Sequence, residues 1–385
     1  MVSEESDSLP DVKHSQPSID NPGDLLIPGW EWHISTFGRS YFVNHNNQTT
    51  SWQKPIPERR PGSLTLKHII ESHSKSIWGV ACVGTSRRVI SASQDGSIRQ
   101  CTRDGKIIGQ PWRSDGRPVV SIAVSPDETM VVSGSWDGRI RLWDVKDGRI
   151  VDKPWNGHNS SVRCLDWSPN GQEIASGSED GIIRRWNCTG QQIAPPIDVG
   201  QGWWETVKYS PQSDKFAACG PDDIIRVWSK NSKLLIEINE PDGYRVESLC
   251  WSMEGTCIFY GSVDGTIRKW RLIDGEELVV LRGHTNTVMS LCLILDECYL
   301  LSASRDASVR IWDLGTNNLV GEPLWHDDQV WTISMAPDRR YIASGGVDTQ
   351  IYLWDFEAAL HQSNNEVCLH MLLTFPLILA YIECA

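Results

Sequence analysis

The sequence predicts an all-β protein, a closed ring of seven radially stacked four-stranded sheets preceded by a small three-stranded sheet. Three observations predict it. The phrase SGSWDGRIRLWD at 133–144 recurs as SGSEDGIIRRWN from Ser176, GSVDGTIRKW from Gly261 and SASRDASVRIWD from Ser302. The aspartates of its turns, Asp95, Asp137, Asp180, Asp222, Asp264, Asp306 and Asp348, stand 42 or 43 residues apart. Upstream, Trp30 and Trp52 lie 22 residues apart and bracket three short β-like runs separated by Gly- and Asn-containing turns.

Each repeat supplies the strands of one sheet. VRCLDWSP at 162–169, EIASGS at 173–178, an Asp-Gly turn and IIRRW at 182–186 are followed by a more polar fourth run. The Asp-Gly pair provides the positive-φ geometry of a tight hairpin, and short alternating runs joined in this way make an antiparallel sheet. One such sheet cannot bury both faces, whereas seven stacked around an axis bury each against the next, giving a seven-bladed β-propeller. This fixed period overrides the two or three domains that 385 residues alone suggest. TLKHII at 65–70 precedes His73 as VVL precedes His284, so it reads as a fourth strand without a blade of its own. The last repeat stops after its third strand at Asp355, and strand 65–70 is expected to complete that blade and remove the open edge.

In chain order, residues 1–25 are rich in Ser, Asp, Glu and Pro and are expected to be disordered. The small β module occupies 26–56, a Pro-containing charged linker 57–62, and the ring 63–355. Residues 356–385 form an apolar tail interrupted by His370 and Pro376, shorter than the ~20 residues of a membrane span and without flanking Lys or Arg. A membrane anchor, a segment covering the ring edge and a non-native C-terminus are the three readings of it. A net charge of -13 argues against binding a phosphate backbone. Eleven Cys without a C-x-x-C pair or zinc spacing read as reduced, buried thiols of a cytoplasmic or nuclear protein.

In the small module, the period of two puts Tyr41, Val43 and His45 on one face and Phe42 and Asn44 on the other, while Thr50 and Trp52 share a face. Trp30, Phe42 and Pro55 then form a minimal core, and Tyr41, Thr50 and Trp52 an aromatic platform that a ligand explains better than packing does. The paired Trp, the run GRSYFVNH and the final Pro resemble the WW-domain family. The resemblance implies recognition of a proline-rich peptide in polyproline II form, with its prolines between the rings of Tyr41 and Trp52 and Thr50 at the groove edge. It further implies a Pro-Pro-x-Tyr ligand, whose tyrosine would meet Val43, His45 and Gln48.

The recurring S-x-D-G, W-D and G-H phrases at 63–355 resemble the WD-repeat family. The resemblance implies a structural tetrad of a His before the first strand, a Ser two residues before the turn Asp, and a Trp six residues after it. Two repeats carry it complete, as His158, Ser178, Asp180, Trp186 and as His284, Ser304, Asp306, Trp312. The seventh has Gly346 in the Ser position, the second and fifth have Asp115 and Asp242 for His, the first has Cys101 for Trp, and the fourth, with Gly200 and Gly220, is expected to be weakest. A catalytic group occurs once in a site, whereas these residues recur at every turn because the turn needs them. The chain is therefore expected to be no enzyme and to need neither cofactor nor metal.

The resemblance also implies that the residue after the first-strand Val and the residue before the turn Asp face the mouth of the central channel. The first set is Trp78, Val120, Arg163, Glu205, Glu247, Met289 and Trp331; the second includes Trp136, Glu179 and Arg305. Trp78, Trp136 and Trp331 fall on neighbouring blades, with an acidic sector of Glu179, Glu205 and Glu247 beyond Arg163, which reads as a hot-spot patch. Together these features predict a monomeric, non-enzymatic adaptor, with a proline-rich ligand on the small module and a second protein on the ring. The alternative is a substrate receptor of a cullin-type ubiquitin ligase, suggested by LWDVK at 142–146.

Overall fold

The computed structural model describes the backbone of residues 30–34, 40–44 and 49–51, and residues 65–356 except 85, 86, 114, 201, 221, 295 and 296. It separates into two compact units, Met1–Arg60 and Pro61–Ala385.

In the first unit, Trp30–Ile34, Ser40–Asn44 and Thr49–Ser51 form an antiparallel meander. Tyr41 stands opposite His33, and Val43 stands between Glu31 and Thr50. His45, Gln48, Trp52 and Pro55 lie outside the described residues.

The second unit is a seven-bladed β-propeller. Blade 3 shows the pattern, running outward from the axis as Val162–Trp167, Glu173–Ser178, Ile182–Asn187 and Ile197–Asp198. The outermost strand is regular in blades 4 and 5, Leu234–Asn239 and Glu276–Leu281, but in blade 2 it is reduced to the bridges Ile140↔Trp155 and Trp143↔Ile150. Pro154 stands in that blade 2 run, and a residue without an N–H fits only an edge strand. Blade 7 is closed from the other end of the ring, because Thr65–Glu71 pairs with Gln350–Asp355 from Gln350↔Glu71 to Asp355↔Thr65.

The core is built between blades. Seven clusters of buried side chains each combine two neighbours, such as Val132, Ile140 and Trp155 of blade 2 with Val162, Leu165 and Trp186 of blade 3. Each sheet therefore hides both faces, the condition that a lone blade cannot meet. The hairpin turns hold the left-handed conformation, with φ +76 at Gly138 and, where a Gly is absent, φ 61 at Asp223. Among the described residues no helix is long and apolar enough to cross a membrane; 357–385 lies outside them.

Candidate functional site

The tetrad residues have to be separated from those left free for binding. His158 Nδ1 lies 3.0 Å from Asp180 Oδ2 and its Nε2 lies 2.7 Å from Ser176 Oγ, to which Trp186 Nε1 donates at 2.8 Å. Ser302 plays the same part between His284 and Trp312, at 2.7 and 2.8 Å. The serine of the network is thus four residues before the turn Asp, which corrects the assignment to Ser178 and Ser304. Those two lie at the strand end, where Ser178 Oγ accepts the Asp180 N–H at 3.1 Å and Ser304 Oγ accepts the Asp306 N–H at 3.0 Å. Alternation puts both serines of an S-x-S on one face, but only the inner one reaches the point where imidazole and indole meet. Blade 7 gains a complete network as a result, His326 with Ser344 at 2.7 Å and Asp348 at 3.0 Å, and Trp354 with Ser344 at 2.9 Å.

Blades without the His use another cation. In blade 2, Arg141, whose side chain is 2% exposed, binds Asp137 at 2.7 Å and Asp115 at 2.6 Å. In blade 4, Arg226 binds Asp222 at 2.5 Å and Glu237 at 2.8 Å. In blade 5, Arg268 gathers Asp242, Glu277 at 2.9 Å, Glu240 at 3.4 Å and Asp264 at 3.8 Å. Asp115 and Asp242 therefore serve an Arg rather than replace an imidazole. In blade 4 the serine place is taken by Ala218, while Trp204 is fully buried and donates from Nε1 to Gly181 O of blade 3 at 2.9 Å.

Burial opposes ionisation of Asp180 and Asp306, but the hydrogen bonds from His158 and His284, with backbone N–H groups, outweigh it and hold both carboxyls at about 2. Burial pushes the Cys82, Cys101 and Cys164 thiols up to about 12, so they are packing groups and not thiolate nucleophiles. Among the described residues no group of His, Cys, Asp and Glu is arranged to hold a metal ion.

What remains is the channel mouth. Trp78, Arg163, Glu247, Met289 and Trp331 are each the extra residue of a β-bulge at the head of an innermost strand, where the register steps from Ile77 to Gly79, Val162 to Cys164, Val246 to Ser248, Val288 to Ser290 and Val330 to Thr332. A bulge re-aims the extra side chain. The second set is fixed by the backbone, with the N–H of Trp136, Glu179 and Arg305 donating to Pro118, Ser161 and Thr287 carbonyls at 3.1, 3.0 and 2.9 Å.

Three tryptophans from three blades meet there. The ring centroids of Trp78 and Trp136 are 5.7 Å apart, and those of Trp78 and Trp331 are 5.9 Å apart. Trp136 is 48% exposed. Beneath them the channel opens into a cavity of about 450 Å³, lined also by Val120, Arg163, Glu205, Glu247 and Met289. The sector read as acidic is paired: Arg163 lies 3.0 Å from Glu205 and 3.5 Å from Glu179, and Arg245 2.5 Å from Glu247. Burial and the neighbouring Glu205 push the Glu247 carboxyl up in spite of Arg245. Arg305 Nε rests 3.2 Å from the Met289 sulfur.

The sequence reading missed Arg245 and Trp203. Trp203 is 42% exposed and lies under the Arg163 guanidinium, whose carbon is 5.8 Å from the ring centroid. Its signal was the pair Trp203-Trp204 beside Gly200 and Gly202, of which one indole goes inward and one stays out. Of LWDVK only Lys146 is exposed: Trp143 donates to Ser133 Oγ at 2.8 Å, and Asp144 Oδ1 accepts the Lys146 N–H at 2.7 Å.

Comparison with known proteins agrees with this architecture. Residues 26–55 match the WW domain and residues 64–100 the WD domain, G-beta repeat. The chain is 40% identical over 57 residues to the human E3 ubiquitin-protein ligase HECW1, a stretch that is 15% of this chain and only 3% of that protein. The crystal structure of the WD40 beta propeller domain of Doa1 superposes with a TM-score of 0.68 at 20% identity, covering 76% of this chain and 97% of that one, which is a likeness of fold. WW and WD-repeat modules are protein-interaction modules, and the chain is a protein-interaction scaffold. Residues 118–367 match the model described as the IFT122 first beta-propeller, and the chain belongs to that family of WD-repeat propellers, with a WW domain ahead of the ring.

Proposed function

We propose that the chain is a non-catalytic adaptor that holds two proteins at once, a Pro-Pro-x-Tyr segment on the WW domain through Tyr41, Val43, His45, Gln48, Thr50 and Trp52, and a second protein at the propeller mouth. The observation that carries the second half is the contact of Trp78 with Trp136 and Trp331, three large aromatic residues from separate blades that meet at a rim instead of filling the core. Central aromatic anchors of this kind dominate binding energies at interfaces. Holding both ligands on one chain raises the effective concentration of each for the other. The nine described cysteines are all free, which supports a reducing compartment, cytoplasm or nucleus. The ligase-receptor alternative finds no support in the burial of Trp143 and the turn role of Asp144.

The test is quantitative affinity purification of the wild type beside Trp52→Ala and beside Trp136→Ala with Trp331→Ala. One set of partners is expected to be lost with the first variant and a different set with the second. Loss of the same set with both, or of none with either, sinks the two-surface reading.

A further inference from the structure

The mouth restricts the chemistry of what enters it, and the restriction rests on the reading of this face as a protein-binding surface. Two features bear on an incoming cation. The first is the aromatic arrangement. Trp78 sits between Trp136 and Trp331 with centroid separations of 5.7 and 5.9 Å and interplanar angles of 46° and 45°. Those are the separations of rings in direct contact. An ammonium group held between two faces needs them apart by its own width, each within about 6 Å of the charge, and here the neighbouring indole already fills that place.

The second is charge. Arg163, Arg245 and Arg305 stand among Glu179, Glu205 and Glu247, and Arg163 is engaged by two carboxylates and by the Trp203 ring. The Glu205 and Glu247 side chains are only 5% and 2% exposed. A Lys or Arg from a partner would have to displace a resident guanidinium to reach them, leaving a cation without its buried partner, which costs more than the new pair returns. What the three blades leave uncovered is the exposed Trp136 indole with the half-buried Trp78, Trp331 and Met289 side chains beside it, above a channel whose lining is in larger part polar. A volume of about 450 Å³ leaves room for one side chain at the mouth.

We propose that the partner presents an uncharged anchor, a Leu, Met, Phe or Trp side chain on a segment without net positive charge, which covers the three tryptophans and enters the channel mouth beside Met289. The anchor is recognised by contact area and not by ion pairing, so binding is insensitive to salt.

The test pans a random peptide library against the full chain carrying Trp52→Ala, so that the WW groove selects nothing. Peptides sharing an aliphatic or aromatic anchor are expected, with affinity falling about tenfold or more in Trp136→Ser and Trp331→Ala. The same affinity should stay within about twofold in Glu179→Gln, and between about 0.05 and 0.5 M salt. Because Trp136 is exposed, Trp136→Ser keeps the test valid if Trp331→Ala lowers stability. Peptides sharing Lys or Arg, weakened by Glu179→Gln and by salt while still dependent on Trp136, overturn the uncharged anchor but leave the mouth a binding surface. Peptides that respond to none of these substitutions overturn the reading of the mouth itself, and the proposal with it.

Discussion

Blades 1, 3, 6 and 7 hold the turn aspartate with a buried imidazole; blades 2, 4 and 5 hold it with a guanidinium. The imidazole joins a short chain that ends on a tryptophan, so His284 satisfies Asp306, Ser302 and, through the serine, Trp312 without adding a charge to the interior. Burial pushes His284 and His326 below the ordinary imidazole range in spite of the aspartates beside them. The guanidinium brings a fixed charge and recruits more carboxylates to balance it, four around Arg268. The same turn is thus secured by a hydrogen-bonded relay in four blades and by an ionic cluster in the other three. The first kind spreads the task over several partners and persists in blade 1 with Cys101 in the Trp place, whereas the second rests on its one cation.

Removal of that cation is expected to be the largest effect. Arg268→Met strands Glu240, whose side chain is fully buried, beside Asp264, and a broken buried pair costs about 3–5 kcal/mol. Urea unfolding at pH 7 measures it; a loss under about 1 kcal/mol means the carboxylates escape to water, and the contrast between the two kinds of blade disappears.

A smaller effect sharpens the comparison within a neutral blade. Ser302→Ala leaves both the His284 ring and the Trp312 N–H without their shared partner, expected at about 1–3 kcal/mol, whereas Ser304→Ala loses the bonds to the Asp306 N–H and to the carbonyl of the exposed Asn286, at about 1 kcal/mol. Equal losses in the two variants would mean the outer serine carries as much as the inner one.

The smallest effect is a divergence with pH. Because the folded His284 and His326 resist protonation, the unfolded chain takes up their protons first, and stability falls as pH drops through about 6.5. Asp306 adds a loss only below its ordinary 3.8, as pH falls toward about 2. Arg268 stays charged throughout, its carboxylate partners holding it above the usual arginine range against burial. Native-state hydrogen exchange at pH 7 and pH 5.5 should show blades 6 and 7 losing protection relative to blades 2 and 4. A parallel loss in all blades would remove the distinction.

The sequence made the ring legible because a turn Asp, followed by Gly in four of the seven repeats, returns every 42 or 43 residues. It also pointed to Trp78, Trp136 and Trp331, because positions that the architecture leaves free show themselves as the places where repeats differ. The tetrad serine was not legible for the opposite reason. Ser176 and Ser178, or Ser302 and Ser304, occupy one face of one strand, and the two repeats that keep one serine disagree, the seventh with Ser344 inside and Gly346 outside, the fifth with Tyr260 inside and Ser262 outside. The arginine anchors were hidden too. Arg141, Arg226 and Arg268 stand four residues after the turn Asp, but so does Arg310 in blade 6, where a histidine already holds that aspartate. Nor does spacing show that Trp204 fills the gap left in blade 4, the blade expected to be weakest, or that Arg163 and Arg245 neutralise the glutamates of the mouth.

The strand that closes blade 7 has a consequence for how the protein is made. Lys67 lies 3.2 Å from Asp355, a contact spanning 288 positions of the chain. On a ribosome adding about 5–20 residues per second, residue 67 waits roughly 15–60 s for its neighbour to emerge. For that interval the closing strand has no sheet to join, and by its end six blades stand in an unfinished arc with a bare edge at each end. The nascent chain is therefore exposed to mispairing until the strand Gln350–Asp355 emerges.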